Sequence, residues 1–304
     1  METDFKPTYL ESLGSGELAG KIKKACALLE DCTLCPRQCH VNRTNGETGI
    51  CNTAQKARVS SIHAHFGEEP PLVGTRGSGT LFFTGCNLMC NFCQNWDISH
   101  EGYGEEVTDK ELGEMMLALQ KMGCHNINLV TPTHVVPQIL SALEKAAQKG
   151  LYLPLVYNSS GYDRVKTLAM LDGIIDIYMP DFKFWDENTA EMTCDARDYP
   201  ETARAAIAEM HRQVGDLVIS EDGMARRGLL VRHLVMPEDI AGTRQIMRFI
   251  ARSISKNTYV NVMSQYRPAG RARDIPALSR PLAASEYRQA VTAAREEGIV
   301  RFAG

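Results

Sequence analysis

The chain has 304 residues, 44% hydrophobic and 23% charged, an ordinary globular composition with ample material for a core. Its net charge of −4 gives no electrostatic footprint for nucleic acid. No apolar run reaches the ~18 residues of a membrane span and the start, METDFKPTYL, lacks a signal-peptide layout, so a cytoplasmic location without membrane contact is expected.

Ten cysteines in such a chain point to metal ligation rather than disulfides. Residues 20–30 read as a short helix carrying Cys26 on one face. Cys32, Cys35, Cys39 and Cys51 follow at C-x2-C-x3-C-x11-C spacing, with turns at Pro36, Gly46 and Gly49. Four thiols on a tight loop are a complete set for structural zinc or for a second, closed [4Fe–4S] cluster. A metal there folds a segment too short to build its own core; the plain alternative is four reduced thiols. Residues 58–65 read as a strand. Residues 66–79 are rich in Pro and Gly and read as a linker, with Glu68 and Glu69 as solvated carboxylates or substrate contacts. The expected division is a metal-binding segment over 1–74 and a catalytic domain over 75–304.

From Ser78 onward strands and helices alternate. Strands are expected at 78–84, 126–130, 153–157, 174–179, 229–235 and 259–263. Helices are expected at 111–122, 135–149, 164–171, 203–214, 240–254 and 285–297, the last N-capped by Ser285. Six such units in a row demand a parallel sheet with helices outside, which gives an incomplete (β/α)6 TIM-like barrel. Chemistry in parallel barrels sits at the C-terminal strand ends. The polar clusters around Thr131 to His134, Asn158 to Ser160, Asp181 to Lys183 and Gln265 fall there.

The first barrel strand runs into GCNLMCNFCQN, which holds Cys86, Cys90 and Cys93 at C-x3-C-x2-C spacing. Three soft thiolates can wrap one [4Fe–4S] cube and leave its fourth iron without a protein ligand. Leu88, Met89 and Phe92 are apolar neighbours that shield it. A structural zinc wants four ligands, and this loop stops at three.

CNLMCNFC after an apolar strand resembles the cluster loop of the radical S-adenosylmethionine (radical SAM) enzymes. The stretches CTLCPRQCHVNRTNGETGIC, HFGEEPPLVGTRGSGTLFFTGCNLMCNFCQNWDIS, NLVTPTH, IYMPDFKF and LLVRHLVMP resemble the branch related to the pyruvate formate-lyase activating enzyme. The resemblance implies the partial-barrel fold, an oxygen-sensitive cluster and S-adenosylmethionine as cosubstrate. It implies reductive cleavage of that cosubstrate to a 5′-deoxyadenosyl radical, with a flavodoxin- or ferredoxin-type electron donor. It also suggests a glycyl-radical enzyme as protein partner. A peptide, a small metabolite or a tRNA base is the alternative substrate. The non-enzymatic alternative is an electron carrier or interaction protein holding iron–sulfur or zinc, against which a loop of three rather than four thiols argues.

The same resemblance places the cosubstrate's amino group near the second strand end. The family carries a Gly-Gly-Glu-like sequence there, but this chain has VTPTH with no carboxylate, so Thr131 and His134 are the candidates. Asn158 and Ser160 are candidates for the ribose or the carboxylate, although a turn at Gly161 also explains them. Asp181 and Lys183 match an Asp-x-Lys of the activating enzymes; a surface ion pair is the alternative. Strand alternation sends one of Arg232 and His233 inward, and the Arg232 fork suits the cosubstrate carboxylate. Gln265 and Tyr266 are placed on the substrate side. Cys124 and Cys194 read as isolated, inert thiols.

Overall fold

Short aliphatic runs broken by polar turns cannot stand alone in water, and the chain resolves this by laying them side by side under helices. The computed structural model describes residues 5–303. Its strands are β1 (Ala57–His65), β2 (Ser78–Phe83), β3 (Glu105–Val107), β4 (Ile127–Val130), β5 (Leu155–Ser159), β6 (Ile177–Pro180), β7 (Val218–Ile219), β8 (Ala225–Leu234), β9 (Tyr259–Met263) and β10 (Arg301–Phe302). They form one sheet in the order β10-β9-β8-β6-β5-β4-β2-β1-β3, with β7 paired to β8. The six predicted barrel strands are β2, β4, β5, β6, β8 and β9, and each pairs in parallel with the next. The fold is therefore the expected incomplete α/β barrel.

Two edges extend it beyond the sequence reading. The β1 strand pairs antiparallel with β2, so the sheet runs back into the segment before residue 74. At the other edge β10 joins β9 in parallel. Helices Tyr9–Gly14 and Glu187–Cys194 were also not foreseen. The last helix, Ala284–Glu296, starts one residue early. Its N-cap is Ala283, whose N–H is taken by the Glu286 carboxylate at 2.8 Å, and Ser285 lies inside the first turn. Among the described residues no helix is long and apolar enough to cross a membrane.

The stretch read as a linker has a structural task. Pro70–Val73 form one helical turn, and Leu72 is fully buried against Val156, Ile177, Met179 and Leu230. These are alternate residues of β5, β6 and β8, so they share the inward face and Leu72 plugs the barrel floor. Continuing the same alternation upward brings Asn158, Asp181 and Arg232 to the layer above. Glu69 is buried with the plug and accepts the Asn261 amide at 2.8 Å.

The N-terminus is tied to this floor by a buried carboxylate. Asp176 accepts the N–H of Thr8 at 2.9 Å, the hydroxyl of Thr8 at 3.0 Å and the N–H of Leu155 at 2.9 Å. Burial nevertheless pushes it up from 3.8 to about 6. Because the folded value is raised, the stability this group contributes is present below its ordinary value and lost as pH rises through about 6. The difference in unfolding free energy between wild type and Asp176→Asn should therefore shrink by about 2 kcal/mol between pH 4 and pH 7, as read by urea titration. A difference that stays constant over that range rules out a raised carboxyl.

Candidate active site

The loop after β2 is shaped by a glycine. Gly85 has φ of +86°, and a Cβ there would lie 2.3 Å from the carbonyl oxygen of Cys51. Only glycine allows both this turn and so close an approach of the two cysteine loops. Beyond it, Cys90 and Phe92 are buried, and Cys86 and Cys93 are half-buried. Backbone and hydroxyl donors face the sulfurs: the Leu88 N–H lies 3.4 Å from Cys86 Sγ, and the Ser99 hydroxyl lies 3.2 Å from Cys93 Sγ. Met89 takes φ of 59°, a left-handed turn that lets the loop fold back between Cys86 and Cys90.

Above the barrel mouth lies a cavity of about 360 Å³ lined by Cys90, Cys93, Asn158, Asp181, Lys183 and Arg232, together with Glu68, His65 and Gln265. Its wall is one charged network. Arg232 donates from Nε to Asp181 at 2.8 Å, from Nη2 to Asn158 Oδ1 at 2.6 Å and from Nη1 to Glu68 at 3.4 Å. Lys183 Nζ meets the other Asp181 oxygen at 2.5 Å. Asp181, Lys183 and Arg232 are 14%, 13% and 17% exposed, so the pair considered as a surface contact is largely buried. Burial alone would raise the Asp181 carboxyl, but Arg232 and Lys183 outweigh it and hold the group below its ordinary value. Burial alone would lower Lys183, and Asp181 reverses that.

The sequence candidates divide cleanly. Asn158, Asp181, Lys183 and Arg232 meet beside the cysteine loop. Thr131, His134 and Ser160 do not line the cavity. Thr131 follows β4 with φ of 59°, a strained value for a β-branched residue, and gives its N–H to the Asn158 carbonyl at 2.9 Å. Ser160 does turn chemistry: its hydroxyl faces the Tyr162 N–H at 3.4 Å. His134 is buried, bonds the Thr84 carbonyl through Nε2 at 3.0 Å and lines the pocket of the other four thiols instead. His233, outward of Arg232, bonds Phe182 O and Thr243 Oγ1. Gln265 lines the cavity, whereas Tyr266 is buried and bonds the Leu278 carbonyl.

Residues 80–224 match the family model of the radical SAM superfamily. Over 305 residues the chain is 31% identical to an uncharacterized protein of Methanocaldococcus jannaschii, covering 97% of this chain and 83% of that one. The chain belongs to the radical SAM superfamily. Solved structures similar to it include a radical SAM methyltransferase from Sphaerobacter thermophilus, at 16% identity and a TM-score of 0.48 over 73% of this chain and 66% of that one. Another is methylornithine synthase (PylB), at 15% identity and a TM-score of 0.45 over 70% of this chain and 60% of that one. The chain thus spans less than two thirds of either structure.

A radical SAM enzyme requires a [4Fe–4S] cluster and S-adenosylmethionine, and the residues present fit the cluster. Burial, then repulsion from Cys90, pushes Cys86 up to about 12, and burial likewise raises Cys93. Thiols so placed ionise readily only if a cation takes the charge, which iron does. Among the described residues no three His, Cys, Asp or Glu side chains close on a single ion-sized point, at this loop or at that of Cys32, Cys35, Cys39 and Cys51, so zinc at the latter requires its thiols to draw together. A cluster makes no such demand, since each thiolate binds its own iron.

Two contacts at this site lie beyond the sequence reading. Cys194, expected to be isolated, is buried with its thiol 3.4 Å from Cys90 Sγ. Glu68, read as a solvated carboxylate or a substrate contact, has a side chain only 8% exposed and faces Arg232. Each partner lies far away in the chain, so no local pattern announces either contact.

Proposed function

We propose that the cavity holds S-adenosylmethionine against a cluster bound by Cys86, Cys90 and Cys93, and that the enzyme abstracts hydrogen from a glycyl residue of a protein partner. The observation that supports the first part is the charged network of Glu68, Asn158, Asp181, Lys183 and Arg232 beside a three-thiol loop. When bound, the cluster supplies the electron that splits the cosubstrate into methionine and the hydrogen-abstracting 5′-deoxyadenosyl radical. The Arg232 fork and Lys183 suit the methionyl carboxylate, while Glu68 and Asp181 suit its ammonium group. Asn158 has both a donor and an acceptor for a ribose hydroxyl. The buried wall keeps water from these charges, which strengthens each contact. Phe92 packs edge-on to Phe184, 5.7 Å between centroids, and stiffens the loop from behind.

The electron comes from a flavodoxin- or ferredoxin-type donor in the cytoplasm, on this reading. The four thiols Cys32, Cys35, Cys39 and Cys51 take zinc or a second cluster. The resemblance to glycyl-radical activating enzymes supports the choice of substrate. The test is an anaerobic incubation with dithionite, S-adenosylmethionine and a glycyl-radical enzyme carrying α-deuterated glycine. Deuterium should enter 5′-deoxyadenosine. Formation of 5′-deoxyadenosine without deuterium overturns the glycyl substrate, and its absence altogether overturns the radical reading.

A further inference from the structure

Two arginines lie within the four-thiol loop, and neither has a carboxylate partner among the described residues. Arg43 is 1% exposed and gives its hydrogen bonds to backbone carbonyls, of Ala54 at 2.9 Å and of His134 at 2.8 Å. Its Nη2 is buried without a partner, as is Nδ1 of His134, and both residues line the pocket closed by Cys32, Cys35, Cys39 and Cys51. A guanidinium withdrawn from water and left unpaired is costly, so the pocket calls for an anion. Four neutral thiols do not supply one. Four thiolates around zinc or an iron–sulfur cluster do, because their combined charge exceeds that of the metal.

Arg37 sits between Cys35 and Cys39 and reaches the other way. It donates from Nε to the Asn87 carbonyl at 3.0 Å and from Nη2 to the carbonyls of Leu88 at 3.2 Å and Cys194 at 2.9 Å; Nη1 takes the carbonyl of Asp195. Asn87 and Leu88 lie between Cys86 and Cys90. One side chain therefore ties the thiol loop to the radical-cluster loop and to the end of the helix that carries Cys194. The contact of the Cys51 carbonyl with Gly85 is a second tie between the same two loops.

We propose that the four thiols hold a net-anionic metal–thiolate centre and that this centre, acting through Arg37, locks the loop of Cys86, Cys90 and Cys93 in its cluster-binding shape. The proposal rests on the metal reading of the four thiols given above. Metal fixes Cys35 and Cys39, these fix the backbone of Arg37, and its guanidinium fixes the carbonyls of the second loop. Arg37 is a positioning residue and touches neither the cosubstrate nor the cluster.

The test uses anaerobically purified full-length protein, with metals counted by mass spectrometry and the radical cluster followed by its visible absorption under an iron chelator. Exchanging Cys32, Cys35, Cys39 and Cys51 for serine together should remove the second metal, zinc or iron, from the count. Arg37→Ala should keep that metal and yet release the iron held by Cys86, Cys90 and Cys93 at least tenfold faster. Should Arg37→Ala fail to fold, Arg37→Lys supplies the same comparison, because one ammonium cannot span four carbonyls. An unchanged metal count in the four-serine variant overturns the metal centre. A retained second metal with wild-type iron release in the Arg37 variants overturns the lock and leaves the centre standing.

Discussion

Replacing Cys90 with alanine is expected to remove about four irons per chain and to bring 5′-deoxyadenosine formation down to background. Cys90 is the buried member of the trio at the cavity wall. Its sulfur lies close to the charge of Lys183, which lowers the cost of a thiolate there, although the Cys194 thiol and burial together hold Cys90 protonated when no metal is bound. A cluster losing one of three ligands is left with two and a second exposed iron. Among the described residues the neighbouring Cys194 thiol, 3.4 Å from Cys90 Sγ, is placed to substitute. The decisive sample is therefore the Cys90→Ala/Cys194→Ala pair, reconstituted with iron and sulfide. Retained turnover in that sample would sink the assignment of the radical-generating loop. Iron content and electron paramagnetic resonance give the same answer without relying on activity.

The second large effect is expected at Asp181. Its two oxygens take Arg232 at 2.8 Å and Lys183 at 2.5 Å. In Asp181→Ala Lys183 loses its carboxylate and Arg232 keeps only Glu68, at 3.4 Å, so two largely buried cations are left with one anion between them. Uncompensated buried charge of this kind costs about 3 kcal/mol of stability, and the loss should appear as a shift in the guanidinium midpoint at constant slope. Binding of S-adenosylmethionine should weaken by at least tenfold, because Arg232 and Lys183 are no longer held in place. Asp181→Asn keeps the shape and one acceptor and should lose less of both. The pH dependence has a definite sign. With the folded carboxyl held below 3.8, the contribution is present above that value and is lost only as pH falls beneath it. An Asp181→Ala protein as stable as wild type, with unaltered cosubstrate affinity, would mean that water screens the network.

Much of the barrel was legible because its signals are local. Six apolar runs of strand length, each followed by a helical period, determine six parallel strands without any knowledge of their neighbours. The cysteine loop was legible for the same reason, since its chemistry depends on spacing within eight residues. What could not be read is what depends on distant partners. Pro and Gly around Leu72 read as a linker, yet tertiary burial makes the turn a plug. Glu68 reads as solvated because its partner Arg232 stands 164 positions away. His134 follows a strand end as Asn158 and Asp181 mark theirs, but the 3-10 turn Thr133–Val135 swings it toward the other thiol loop. Ser160 stays with its own turn, as Gly161 hinted.

The plug under the barrel also decides how molecules travel. With Leu72 stopping the lower opening, the cavity is a well rather than a tunnel. On the proposed reading, cosubstrate, spent products and dioxygen would share one rim, near Gln94, Asn95 and Gln265. A protein partner seated on that rim would act as a stopper, letting the radical form only while the intended hydrogen donor fills the doorway.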